Sequence, residues 1–266
     1  MDLLSNRRII FESLREAGNK IQRIESGDYN INTKSDKSPV TDADLISDSI
    51  IRNMLADNFP DIPVLSEEQS ISRASIDKPS LFWLLDPLDG TKEFIKGNGE
   101  YCICLALIDK GRPVEAYIYA PSSDIIWFAL KNRGAFVLNN EIPEKLPLLN
   151  TDSNRPLILL RSRSHHNLTE SEWYNTASES ETIEIREQGS AIKFCRIAEG
   201  RADLYIKKGT IFGWDIAAGD LILCESGGRL ISYDSTHEIS YSFDSSEMPH
   251  FLACGHRIKD PEKWLF

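Results

Sequence analysis

Two aspartates three positions apart, Asp86 and Asp89, stand in the run Asp86-Pro87-Leu88-Asp89-Gly90-Thr91. The run follows Leu81-Phe82-Trp83-Leu84-Leu85, an apolar stretch that reads as a buried strand. Pro87 and Gly90 stop a strand and force a tight turn, so a buried element delivers two carboxylates at its end. Carboxylates fixed beside a main-chain carbonyl are oxygen ligands for a hard cation. A well-made turn uses the same residue types, and from this run alone both readings stand. Other acids also adjoin structural boundaries: Asp44 in the first turn of a predicted helix, Glu67 and Glu68 after a short apolar segment, and Asp215 after Gly213-Trp214 at the head of another helix. The helix dipole favours acids at such places, which accounts for Asp44 and Asp215 without any chemistry. If the acids converge, like charges at short range require cations. Oxygen donors without a nearby histidine select Mg²⁺ over Zn²⁺. Two or more such ions beside the Thr91 hydroxyl suit phosphoryl transfer to water, one ion activating the water and another stabilising the leaving oxygen.

Periodicity predicts the elements that must position these acids. Residues 3–24 read as an amphipathic helix with Leu3, Ile10, Leu14, Ala17, Ile21 and Ile24 on one face and Gly27 as its stop. Residues 28–40 read as an exposed loop. A second helix starts at Asp42, capped by Thr41 or Asp42, with Ile46, Ile50 and Met54 sharing a face, and stops before Pro60. The polar stretch 69–80 reads as a surface connection. Strands at 101–109, 114–120, 125–130 and 133–138 are joined by connectors too short for crossover helices, so this part is antiparallel. The polar stretch 139–156 is the expected boundary between an N-terminal lobe, 1–145, and a smaller C-terminal lobe, 146–266. Beyond it, strands at 157–160, 183–185, 202–206 and 251–254 alternate with helices at 191–199 and 216–226, the second closed by Gly227-Gly228. Ala191, Phe194, Cys195 and Ala198 are expected to face inward. That alternation predicts an α/β lobe.

The 266 residues are 41% apolar, enough for one large domain or two closely packed ones. With 41 acidic and 30 basic residues the net charge is −11, and no Lys/Arg run stands out, so nucleic acid is not an expected partner. The five cysteines form no CxxC pair, which fits free thiols in a reducing compartment. Cys102 and Cys104 alternate along a strand and read as small core residues, as do Trp83 and Trp127; His165-His166 reads as a surface turn. The start is charged, without a signal-peptide pattern, and no stretch reaches transmembrane length. The expected location is the cytoplasm, free or peripheral on the inner face of the membrane. No Rossmann or P-loop glycine motif occurs.

Glu67-Glu68, Asp86-Pro87-Leu88-Asp89-Gly90-Thr91 and Trp214-Asp215-Ile216-Ala217-Ala218-Gly219 together resemble the three signatures of the inositol monophosphatase superfamily. The resemblance covers almost the whole chain, from about residue 5 to about residue 260. It implies an αβαβα layered α/β (α+β) sandwich and a lithium-sensitive phosphomonoesterase that uses two or three Mg²⁺ ions. It implies metal ligation by Glu67, Asp86, the Leu88 carbonyl, Asp89 and Asp215, with Glu67 bridging and Glu68 binding through water or only supporting its loop. Asp44 and Thr91 are similar to the pair that orients and deprotonates the attacking water, with Glu67 counted among the catalytic acids. Asp89, Gly90, Thr91 and Asp215 would also meet the phosphorylated substrate.

The segments Gln188-Gly189-Ser190-Ala191-Ile192-Lys193-Phe194-Cys195 and Tyr117-Ile118-Tyr119-Ala120-Pro121 resemble the bacterial CysQ-type branch of 3′(2′),5′-bisphosphate nucleotidases. That implies hydrolysis of the 3′-phosphate of adenosine 3′,5′-bisphosphate, a by-product of sulfur metabolism, to AMP and phosphate by direct attack of a metal-activated water. Ser190 and Lys193 would lie near the substrate; Lys193 either offsets the second phosphate or is a solvated helix lysine. The chain departs from the family pattern at Phe212-Gly213, where members usually carry an acid or similar polar residue before the tryptophan. Two other readings remain: an inositol-1-phosphatase or broad sugar-phosphate phosphatase with the same metals, and a non-catalytic Mg²⁺-binding module. The expected partner is a small phosphorylated nucleotide, and the expected assembly a monomer or homodimer.

Overall fold

The computed structural model describes residues 7–33, 39–69, 79–139, 142–149, 155–164, 168–180, 183–235, 237–244 and 247–265. Leu3, His165-His166 and most of the 69–80 connection lie outside them. Helix α1 (Arg8–Glu25) buries Ile10, Leu14, Ala17 and Ile21, as its periodicity predicts. The expected loop after it holds a small antiparallel ribbon, β1 (Ile31–Thr33) with β2 (Pro39–Thr41). Its residues are largely exposed, so no apolar alternation signals it.

Helix α2 (Asp42–Asn58) starts in a capping box between Thr41 and Asp44; of the expected face Met54 is buried and Ile50 packs against the core, but Ile46 turns outward. Ile46 is 36% exposed, while Ala43, Asp44, Ser47, Asp48, Ile51, Met54 and Leu55 are buried. The cause is polar anchoring: the Ser47 hydroxyl donates to the Pro87 carbonyl at 2.7 Å, and Ser66 donates to Asp48 at 2.5 Å. These bonds set the rotation of the helix against the sheet.

The chain then runs through β3 (Val64–Ser66), β4 (Leu81–Asp89), the single-turn helix α3 (Thr91–Ile95), β5 (Cys102–Asp109), β6 (Arg112–Ala120), β7 (Ile125–Leu130), β8 (Gly134–Leu138) and β9 (Pro143–Lys145). These strands form a seven-stranded sheet in sequence order. The β3–β4 pair is parallel and every later pair antiparallel, as the short connectors require.

The second half contributes β10 (Leu157–Ser162), α4 (Leu168–Ser180), β11 (Ile183–Gln188), α5 (Ile192–Ala198), β12 (Leu204–Lys207), α6 (Gly213–Glu225), β13 (Arg229–Ser232) and β14 (Phe251–Cys254). Its five-stranded sheet has the order β11-β10-β12-β14-β13, parallel among the first three strands and antiparallel beyond. Helix α4 and strand β13 carry no readable apolar period. In α4 the buried apolar residues are Trp173, Tyr174 and Ala177.

Alternation along the strands divides the core into three slabs. Trp83, Leu85, Ile103, Leu105, Tyr117 and Phe128 face α1 and α2. Their alternates Phe82, Leu84, Cys104, Ile118 and Trp127 face α5 and α6, which also cover Leu160, Tyr205 and Phe251 of the smaller sheet. Leu159, Leu204, Ile206 and Leu252 pack outward against Trp173 and Tyr174 of α4. The order of layers is therefore helices, sheet, helices, sheet, helix, the αβαβα sandwich expected. Within the middle layer α5 and α6 touch at Gly219, where a Cβ would lie 2.4 Å from the Phe194 ring. A glycine there lets the helix that carries Asp215 press against the one that carries Lys193. Among the described residues, no helix is long and apolar enough to cross a membrane.

Candidate metal centre

Strand β4 does not end at Pro87, as the turn residues suggest, but runs on to Asp89 through a break in register. Asp86 pairs with Cys104 and Asp89 with Cys102, so β4 spends one residue more than β5 between them. This is a bulge, and it falls where Pro87 has no N–H to give the ladder. The Asp86 carboxylate accepts the Leu88 N–H at 3.0 Å, which holds the bulge closed. Gly90 follows with φ of 95°, a left-handed conformation, and α3 starts at Thr91.

Three carboxylates converge here. The Glu67 N–H donates to the Leu85 carbonyl at 3.1 Å, so the parallel β3–β4 pairing sets Glu67 beside Asp86. Asp215 is the third residue of α6, and its Oδ2 accepts the Phe212 N–H at 2.8 Å. One oxygen each from Glu67, Asp86 and Asp215 lie within 4.8 Å of one another. Burial, then Glu67, Asp89 and Asp215, push Asp86 well above the ordinary carboxylate range. Burial, then Glu67 and Asp89, push Asp215 up likewise. Crowded, mutually repelling carboxylates, one buried and two half-buried, with only oxygen to offer fit a hard divalent cation such as Mg²⁺.

Asp89 stands beside this cluster. Its Oδ2 accepts from the Ala191 N–H and lies 3.9 Å from the Cys102 thiol. Burial raises its pKa to about 6, against the lowering effect of Lys193 and the Ala191 N–H. Asp44, 1% exposed, reaches the site through Thr91: the Thr91 hydroxyl is 3.0 Å from Asp44 Oδ1 and 3.3 Å from the Leu88 carbonyl. Glu68 is not part of the three-acid cluster; its N–H donates to Ser66 Oγ at 3.4 Å.

Glu67, Asp86, Leu88, Asp89, Gly90, Thr91, Ser190, Lys193 and Asp215 all line one open cleft. Lys193 is not a solvated helix lysine. It is 5% exposed, its Nζ donates to the Ser190 carbonyl at 2.7 Å, and it sits 4.8 Å over the Tyr205 ring. Burial lowers its pKa, while nearby Asp89 opposes that fall. The cleft also carries residues without a sequence signal: Lys92, Arg163, Lys207 and Glu93. Arg163 is forked onto Glu100 at 2.7 and 2.8 Å. These cleft charges come from three separate stretches of chain and are assembled only by the fold. Phe212 and Trp214 complete the wall as a stacked pair, ring centroids 5.0 Å apart and planes at 18°.

A five-layer sandwich with three acids converging at a strand bulge and a helix start defines a class. The chain belongs to the inositol monophosphatase family, whose model matches residues 3–254. These are metal-binding phosphatases, hydrolases of phosphate esters. Within the family, the chain is 37% identical over 246 residues to the 3′(2′),5′-bisphosphate nucleotidase CysQ of Escherichia coli O6:H1, covering 92% of this chain and 95% of that one. It is 34% identical over 238 residues to the CysQ of Buchnera aphidicola subsp. Acyrthosiphon pisum, covering 89% and 87%. The crystal structure of CysQ from Bacteroides thetaiotaomicron superposes with a TM-score of 0.82 at 30% identity, over 96% of this chain and 99% of that one.

Proposed function

We propose that this chain is a Mg²⁺-dependent 3′(2′),5′-bisphosphate nucleotidase that hydrolyses the 3′-phosphate of adenosine 3′,5′-bisphosphate to AMP and phosphate. The observation that carries the substrate is the stacked Phe212–Trp214 pair in the same cleft as the acid cluster. An aromatic face beside a phosphate site suits a base. Lys92, Lys193 and Lys207 border the same space and offer positive charge for a substrate with two phosphates. The likeness to CysQ enzymes supports the same reading.

Glu67, Asp86, Asp215, Asp89 and the Leu88 carbonyl are the groups that would hold Mg²⁺. When bound, the metal would lower the pKa of water and neutralise charge on the departing oxygen, and lithium in its place would inhibit. The chain's own residues do the rest. Thr91 gives its hydroxyl proton to Asp44, which leaves the Oγ1 lone pairs for a proton of the attacking water. Gly90, Thr91 and Ser190 orient the phosphate, and α6 aims its N-terminus at the cleft. Lys193, tied to the Ser190 carbonyl, fixes the loop that carries Ser190.

The test is phosphate release from adenosine 3′,5′-bisphosphate and from inositol 1-phosphate, side by side, with Mg²⁺ and with added Li⁺. A lithium-sensitive preference for the nucleotide is expected. Preference for inositol 1-phosphate overturns the substrate and keeps the metal chemistry. Release from neither, with Mg²⁺ still bound, leaves a binding module.

A further inference from the structure

Behind the acid cluster lies a second set of donors with different chemistry. Cys102 and Cys104 share one face of β5, and their sulfurs are 3.8 Å apart. Cys102 Sγ is also 3.9 Å from Asp89 Oδ2 and 3.5 Å from Ser190 Oγ. An Asp89 oxygen and the two sulfurs all lie within 4.8 Å of one another. A tetrahedral zinc ion, with Zn–S of about 2.3 Å and Zn–O of about 2.0 Å, spaces neighbouring sulfurs by about 3.8 Å and sulfur–oxygen pairs by about 3.5 Å. The Cys102–Cys104 and Cys102–Ser190 pairs match those edges, and Cys102–Asp89 is slightly longer.

We propose that Asp89, Cys102 and Cys104, with the Ser190 hydroxyl as fourth donor, form an inhibitory site for a thiophilic divalent cation of the zinc class. Thiolates select such ions over Mg²⁺, which keeps an oxygen shell. Access follows from the layout. Asp89 and Ser190 line the cleft, and Cys102 contacts both from the buried strand behind them. A cation entering the cleft meets the oxygens first and the sulfurs next. Its capture engages Asp89, which then no longer serves the Mg²⁺ site beside it. Binding rests on the donor geometry alone; inhibition rests also on the reading of Asp89 as a Mg²⁺ ligand.

Cd²⁺ is the probe, because cadmium–thiolate bonds absorb in the ultraviolet and can be followed without turnover. It is titrated into reductant-free full-length protein in saturating Mg²⁺, and phosphate release is followed in parallel. The expected result is a saturable charge-transfer band with inhibition over the same Cd²⁺ range. Cys104→Ala is expected to keep its Mg²⁺-supported activity and lose one thiolate's share of the band. It should need at least about tenfold more Cd²⁺ for inhibition, since even outer-shell losses at metal sites cost that much. Cys104→Val serves if the alanine variant does not fold. Equal Cd²⁺ sensitivity in parent and variant places the cation at the oxygen cluster and overturns the site. A band without inhibition overturns the inhibitory role and the ligand reading of Asp89, while soft-metal binding stands.

Discussion

Thr91 and Asp44, 47 positions apart in the chain, meet in a 3.0 Å bond between a hydroxyl and Oδ1 of a buried carboxylate. The other carboxylate oxygen, Oδ2, accepts from the Thr41 N–H at 2.7 Å and the Thr41 hydroxyl at 2.6 Å. The bonds that cap α2 therefore aim Asp44 at Thr91. Asp44→Asn puts an amide donor where only donors face it. We expect it to lower kcat by about a hundredfold or more, the usual worth of positioned acid–base help. Thr91→Ala is expected to lose a similar factor, and the double variant little more than either, because the two act as a unit. Asp44→Asn also weakens the cap, by about 1 kcal/mol. Steady-state phosphate release and thermal melts on all three variants measure this; losses that multiply mean separate roles.

Phe212 contributes its ring to the cleft wall and its N–H to Asp215, so a side-chain change spares the cap. Phe212→Ala is expected to lower kcat/KM for the nucleotide roughly tenfold, within the range for base–aromatic stacking. Hydrolysis of inositol 1-phosphate should hardly change. An equal fall for both substrates assigns Phe212 to support of Asp215 instead.

Metal removal has a pH signature. Asp89 rises from 3.8 to about 6 in the folded, metal-free chain, so the folded state holds its proton more tightly than the unfolded one. That contribution is fully present below 3.8 and is lost as pH rises through about 6. Asp86 and Asp215 shift in the same direction. Chelated protein should lose melting temperature across this window, and Mg²⁺ should restore it above the window by binding the native state. Asp215→Asn is expected to raise the chelated melting temperature, blunt the response to Mg²⁺ and abolish turnover. A melting temperature unmoved by Mg²⁺ at every pH argues against a cation at the three acids.

Much of the fold and the site is legible in the sequence, for physical reasons that vary with the residue. Phe82 to Leu85 must be apolar because both faces of β4 are covered, and an acid turn after such a strand stands out. Asp215 is legible because it caps a helix, although capping alone never points to a partner. Glu67 needs the three-residue β3 to bring it beside Asp86, and a strand so short leaves no period to read. The rotation of α2 is set by Ser47 and Asp48, polar anchors that an apolar count overlooks. Lys193 looks like an ordinary helix lysine until the Ser190 carbonyl and the Tyr205 ring close over it. The Asp89–Cys102–Cys104 set exists only because a bulge shifts one strand against its neighbour.

The three-acid cluster draws Glu67 and Asp86 from the seven-stranded sheet and Asp215 from a helix far along the chain. On a translating ribosome these parts emerge in that order. The hairpin-linked strands pair with near neighbours, but one face of their sheet stays bare until α5 and α6 cover it. On the proposed reading, cation capture would wait until α6 has left the exit tunnel and docked. Metal loading would thus act as a receipt for finished synthesis, because a truncated product lacks Asp215, the last of the three carboxylates.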